Sequence, residues 1–114
     1  MILDWDGYKK ELSGRFAEIR KISPDTIEGY RKLSEAGAKT AKLDAKTREL
    51  IALAVAVTRQ CDGCITFHTD AAIKNKATRE EIAEALGVAI MVNAGAALVF
   101  SARVMDAFSA KQAK

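Results

Sequence analysis

The sequence predicts an all-α fold, a bundle of about five to six helices, and three observations carry that expectation. Pro24 is the only proline in 114 residues. Aromatic residues make up only 6% of the chain and alanine is used heavily, a composition that favours helices over sheets. Apolar residues also recur every three or four positions over most of the length. With 49% apolar and 29% charged residues the chain is globular in composition, and residues 1–114 are read as one domain.

The elements follow in order. Residues 4–20 place Trp5, Tyr8, Leu12, Phe16 and Ile19 at amphipathic spacing, which predicts the first helix. Ser23 then reads as an N-cap, with Pro24 at the first helical position and Ile22 and Ile27 set for a hydrophobic staple. This second helix is expected to run to about Glu35 and to end near Gly37. Asp44 can cap a third helix, whose Leu50–Val57 segment is apolar on every side. Such a helix is buried, either in the domain centre or between subunits. A fully buried strand competes for that run, but the preceding residues 44–50 are helical in character. A fourth helix follows to about Lys74. Thr78 and Glu81 form a capping box that opens a long helix through Leu86 and Ile90. Asn93–Ala97 offers either a close approach for another helix or a break. A last helix through Phe100, Val104 and Phe108 ends in a polar tail.

Charge narrows the function. The net charge of +3 arises in residues 1–48, with 11 Lys/Arg against 8 Asp/Glu, while residues 49–114 carry 7 of each. Basic residues alternate with acidic ones and lack interleaved aromatics, so a solvated surface is expected and a nucleic-acid partner is not. No run of apolar residues reads as long enough for a membrane span, and Asp4 and Asp6 interrupt any signal-like start. No membrane partner and a cytoplasmic location are therefore expected. In a reducing compartment two cysteines argue for a catalytic or metal-binding pair over a structural staple.

Chemistry concentrates in residues 61–68, Cys-Asp-Gly-Cys-Ile-Thr-Phe-His, which hold both cysteines and the one histidine of the chain. On a helix, positions 61, 64 and 68 fall within an arc of about 60°. A zinc site needs four protein ligands, or three plus water, and no second Cys/His pair exists to complete one. Covalent haem attachment would need histidine directly after the second cysteine, where Ile65 stands. A thioredoxin-type motif would need a βαβ pattern. A dithiol on a helix remains: Cys61 and Cys64 at i and i+3 can close a disulfide when the first lies at a helix N-terminus, where free N–H groups and the dipole favour a thiolate. Two small buried side chains beside a hydrogen-bonded imidazole are the alternative.

Glu49, twelve residues before Cys61, together with C-x-x-C-x-x-x-H, resembles the signature of the AhpD-like alkylhydroperoxidases of the carboxymuconolactone decarboxylase superfamily. The specific likeness covers residues 49–68, and Thr78–Ala89 is similar more loosely. The resemblance implies an AhpD-like helical bundle that is oligomeric. It also implies that Cys64 is the attacking thiolate, Cys61 the resolving thiol, His68 the proton acceptor, and Glu49 the group behind the imidazole. Helical angles alone do not bring Glu49 to the cysteine face, so the helix must break between them, with Arg59, Gln60 and Gly63 as the residues that permit it. Dipole reasoning favours Cys61 as the more acidic thiol, whereas the place of His68 favours Cys64, and the assignment follows His68. Some relatives carry a second histidine inside the CxxC, where this chain has Gly63. The departure bears on peroxidase proficiency more than on disulfide reduction.

The expected function is thus a thiol-dependent peroxidase or disulfide reductase that reduces alkyl hydroperoxides without metal or organic cofactor. Its partners would be a small-molecule hydroperoxide and a protein dithiol or lipoyl-type reductant. Lactone decarboxylation is the alternative chemistry of the superfamily, and a helical oligomerisation or metal-binding module the non-enzymatic one. The apolar Leu50–Val57 and Asn93–Phe100 segments exceed what a short chain can cover alone, so a homo-hexamer or homo-trimer is expected, the hexamer before the trimer.

Overall fold

The computed structural model describes residues 1–114 and contains five helices and no strand. They are α1 (Trp5–Ile22), α2 (Pro24–Thr40), α3 (Ala45–Arg59), α4 (Asp62–Lys74) and α5 (Arg79–Gln112). Each start has a local cause. The Asp4 carboxylate accepts the Gly7 N–H at 3.2 Å and opens α1. The Asp44 carboxylate accepts the Thr47 N–H at 2.7 Å and opens α3. Thr78 and Glu81 make the full reciprocal box at α5, with the two bonds at 3.0 and 2.9 Å. At α2 the expected cap is only positional. The Ser23 hydroxyl bonds the Thr26 side chain at 2.7 Å and no backbone N–H, and Ile22 is left exposed, so the staple with Ile27 buries almost none of it.

Two boundaries differ from the sequence reading. The second helix passes Gly37 and ends at Thr40, with Ala41 in the left-handed conformation at φ 55° and its N–H bonded to the Gly37 carbonyl. Gly37 serves a close approach instead: a Cβ there would lie 2.9 Å from Cδ of Arg48, whose guanidinium crosses to the Leu43 carbonyl. The second difference is larger. Asn93–Ala97 is no break, and α5 runs unbroken for 34 residues, about 51 Å. The Asn93 amide bonds both the Ala89 carbonyl in its own helix and the Thr58 hydroxyl on α3, each at 2.8 Å. A polar residue that reads as a divide in sequence is therefore a clamp between two helices. Because the halves join, α5 is long and apolar enough, by length and composition, to cross a membrane, which corrects the reading that no segment reaches that length.

Packing runs as a chain of neighbours, α2 on α1, α1 on α4, α4 on α3 and α3 on α5. Thr66 of α4 is buried and donates its hydroxyl to the Trp5 carbonyl at 3.3 Å, which ties the start of α1 to α4. Lys9 of α1 bridges to Asp70 of α4 and lies over the Phe67 ring, 5.0 Å from its centroid. This serial arrangement leaves little interior. Only Leu53, Ala56, Thr66, Ala72 and Ala89 are buried. The radius of gyration is 19.1 Å, against about 13 Å for a compact chain of this length. Within the Leu50–Val57 segment, Leu53 and Ala56 are covered while Ile51 and Val55 remain about half exposed, so the chain alone buries one face of that helix and not the whole of it.

Candidate functional site

The site forms where α3 turns into α4. Gln60 ends α3 in the left-handed conformation at φ 53°, and Cys61 follows in an extended conformation. This two-residue joint is the expected break. Gly63, which also counted as a breaker in the sequence, lies inside the first turn of α4. Its missing side chain has another use: a Cβ at Gly63 would come 2.9 Å from Cδ1 of Leu12, so α1 leans on the CxxC turn at this glycine. Cys61 is the N-cap of α4, its sulfur accepting the Cys64 N–H at 3.1 Å. The two cysteines are joined as a disulfide across 5.3 Å between their Cα atoms.

The joint folds α4 back along α3, and this brings Glu49 and His68 together across 19 positions of sequence. Glu49 Oε2 lies 2.7 Å from His68 Nδ1, with side-chain exposures of 22% and 35%. Glu49 is therefore no free surface acid at the start of a helix. A carboxylate facing Nδ1 keeps the hydrogen on that nitrogen and leaves Nε2 as the acceptor of the neutral ring. His68 stands one turn beyond Cys64 on the same face, and both line one cavity of about 400 Å3 beside the disulfide. All four residues singled out in the sequence thus gather at one place. No group of three His, Cys, Asp or Glu side chains is arranged to hold a metal ion.

Sequence reasoning missed the cavity's opposite wall. Tyr8, Leu12 and Phe16, spaced by four on α1, face the cysteines, and Tyr30 of α2 and Phe67 of α4 complete the lining. Phe16 and Phe67 stack with ring centroids 6.3 Å apart. An apolar stripe at this spacing looks the same whether it fills a core or lines a cavity. The one available signal was that two of its three members are aromatic in a chain with few aromatics.

Residues 24–107 match the carboxymuconolactone decarboxylase family. An uncharacterized protein of Haemophilus influenzae is 44% identical over 113 residues, spanning 99% of this chain and all of its own. Another, from Cupriavidus necator, is 31% identical over 103 residues, 90% of this chain and 91% of its own. Among solved structures, the apo form of a carboxymuconolactone decarboxylase family protein from Legionella pneumophila is similar, with a TM-score of 0.74 and 41% identity. That likeness covers 86% of this chain and 88% of the other.

Proposed function

The chain belongs to the carboxymuconolactone decarboxylase family, and from that premise we propose that it is a thiol-dependent peroxidase and disulfide reductase of the alkylhydroperoxidase type. The observation that carries this reading is the Cys61–Cys64 pair at the head of α4, with an imidazole one turn on and a carboxylate 2.7 Å behind it. Nucleophile, base and orienting group in that order are the parts an activated thiol needs.

The cycle starts from the reduced pair. His68 Nε2 takes the proton of the Cys64 thiol while Glu49 balances the resulting imidazolium. The Cys64 thiolate attacks the terminal peroxide oxygen, the O–O bond breaks, and the alkoxide leaves as an alcohol with the proton that His68 held. Cys64 is then a sulfenic acid. The Cys61 thiol displaces hydroxide from that sulfur, which leaves as water with the Cys61 proton, and the disulfide closes. A protein dithiol or lipoyl-type donor reopens the pair by thiol–disulfide exchange, its own two thiols becoming a disulfide. The reaction suits a reducing, cytoplasmic setting and calls on no metal or organic cofactor.

The reading extends to assembly. The thin interior and the bare outer half of α5 favour a homo-oligomer in which a second copy covers that helix, and on the family likeness we propose a hexamer before a trimer. Mass spectrometry of the reduced protein after stoichiometric peroxide, with and without candidate dithiols, tests the chemistry. Loss of two hydrogens confined to Cys61 and Cys64, reversed by the donor, is expected. A pair that stays reduced would end the proposal.

A further inference from the structure

A second groove, of about 330 Å3, opens between α1 and α2, lined by Ser13, Phe16, Ala17, Arg20, Ile27, Tyr30 and Phe67. Phe16, Tyr30 and Phe67 also line the cavity beside the disulfide, so the two spaces share three walls and adjoin. Along α1 the lining residues Leu12, Phe16 and Arg20 follow at intervals of four, one stripe of one helix face. It begins at Leu12 against Gly63 of the CxxC turn and ends at the Arg20 guanidinium. Eight residues of helix separate the two ends, roughly 12 Å, which is the reach of a medium-length acyl chain.

The far end differs from the rest in charge. Arg20 takes part in no salt bridge, whereas Arg15 and Arg31 each pair with two glutamates on their own helices. No Asp or Glu lines the groove. Ser13, its one aliphatic hydroxyl, already donates to the Lys9 carbonyl. Apolar walls are thus shared between the cavity at the cysteines and a groove that ends at a guanidinium with no salt-bridge partner. The first helix, which carries both Phe16 and Arg20, lies outside the residues 24–107 that match the family.

Resting on the peroxidase reading, we propose that the substrate is an amphipathic hydroperoxide, an acyl chain that lies on Phe16, Tyr30 and Phe67 with its peroxide at Cys64 and its carboxylate on Arg20. The reaction balances as before: the hydroperoxide and the dithiol become the hydroxy acid, water and the disulfide. Selectivity arises because apolar walls take the chain while only an anion satisfies the guanidinium.

Calorimetric titration of the full-length oxidised protein with decanoate and decanol, both below their aggregation limits, separates the two parts. Decanoate should bind about five-fold tighter than decanol, the gain of a charge-assisted contact discounted for solvent exposure. In Arg20→Gln that ratio should fall to about one, and Arg20→Lys should restore part of it. Ala17→Trp, which fills the groove, should weaken both ligands together, with helical content checked by circular dichroism. Equal affinity for acid and alcohol in the wild type, or a preference that survives Arg20→Gln, would overturn the assignment. Acetate binding as tightly as decanoate would do so as well, since the chain would then not use the groove. A second arm compares oxidation of the reduced pair by a fatty-acid hydroperoxide and by its methyl ester, with the acid expected to react about five-fold faster at limiting concentration. If decanoate is preferred but no hydroperoxide oxidises the pair, the peroxidase reading fails and the substrate class with it. Loss of the acid preference alone, with oxidation intact, removes only the class named here.

Discussion

The α3–α4 pair and the outer half of α5 are both rich in apolar and small residues, yet the chain treats them in opposite ways. Four of the five buried residues, Leu53, Ala56, Thr66 and Ala72, lie on α3 and α4. The 34 residues of α5 contribute one, Ala89, and beyond Asn93 its Leu98 and Phe100 are 75% and 65% exposed. One region is finished by its own chain, and the other is not. The pairing of Glu49 with His68 follows from that contrast, because it needs only the two helices that hold four of the five buried residues. The outer part of α5 plays no part in placing it.

The largest effect that would break this contrast lies at the sulfurs. Cys64→Ser is expected to abolish peroxide consumption, while Cys61→Ser should leave a sulfenic acid at Cys64 that a sulfenate probe captures. Equal capture in both variants would remove the assignment of roles. Next comes Glu49→Gln. An amide still meets the ring but cannot balance its charge after proton transfer, so the rate should fall by roughly 10²- to 10⁴-fold. Thermal stability should hardly change, and a wild-type rate would make the 2.7 Å contact purely structural.

A smaller effect is expected at the other pole. Light scattering should find an oligomer at micromolar concentration, and Leu98→Asp should weaken assembly by about 30-fold or more if that surface is central to the interface. Disulfide formation on peroxide addition should survive in the variant, because Leu98 neither lines the cavity beside the cysteines nor touches the Glu49–His68 pair. A wild-type monomer would contradict the proposed assembly outright. Smallest are the ties between the two regions. Thr78→Ala removes the side-chain half of the α5 cap and should cost about 1 kcal/mol in chemical denaturation. Asn93→Ala loses the link to Thr58 and should cost about the same.

The last tie is electrostatic and depends on pH. Lys46 of α3 meets Glu81 of α5 at 2.7 Å. The Lys46 ammonium, aided by the Thr78 backbone N–H, holds the Glu81 carboxyl below its usual range, and Glu81 raises Lys46 in turn. A depressed carboxylate stabilises the fold above its unfolded value and loses that contribution as pH falls through the folded one. A raised amine does the reverse, losing it as pH rises through its folded value. Stability is therefore expected to be greatest between these limits and to decline on the acid side, an effect that Glu81→Gln should flatten.

The same contrast explains what could be read from residues alone. The helix starts and the cysteine face were legible because their causes are local: Asp44 and Thr78 cap the helices that follow them, and the Cys61–His68 spacing needs nothing distant to place it on one face. The meeting of His68 with Glu49 came from the family likeness, since no helical angle brings positions 49 and 68 together without the turn at Gln60. Asn93 misled because its meaning is tertiary. An amide that reads as a divide is satisfied by Thr58 on another helix, and α5 passes through. The aromatic wall on α1 escaped for a different reason, since periodicity reports that a face is apolar and not whether protein or ligand will cover it.

One atom described above holds two posts. The Cys61 sulfur is half of the proposed redox couple and also the acceptor that satisfies the Cys64 amide at the first turn of α4. Electron transfer therefore cannot leave the helix end untouched: the acceptor changes from a bridging sulfur to a thiol or thiolate, and a thiolate is the stronger hydrogen-bond partner of the three. The Cys64 amide proton becomes a resident reporter of oxidation state. Its nuclear magnetic resonance shift should move with each turnover while amides in the last turns of α4 stay still, so the cycle could be followed without any dye or coupled enzyme.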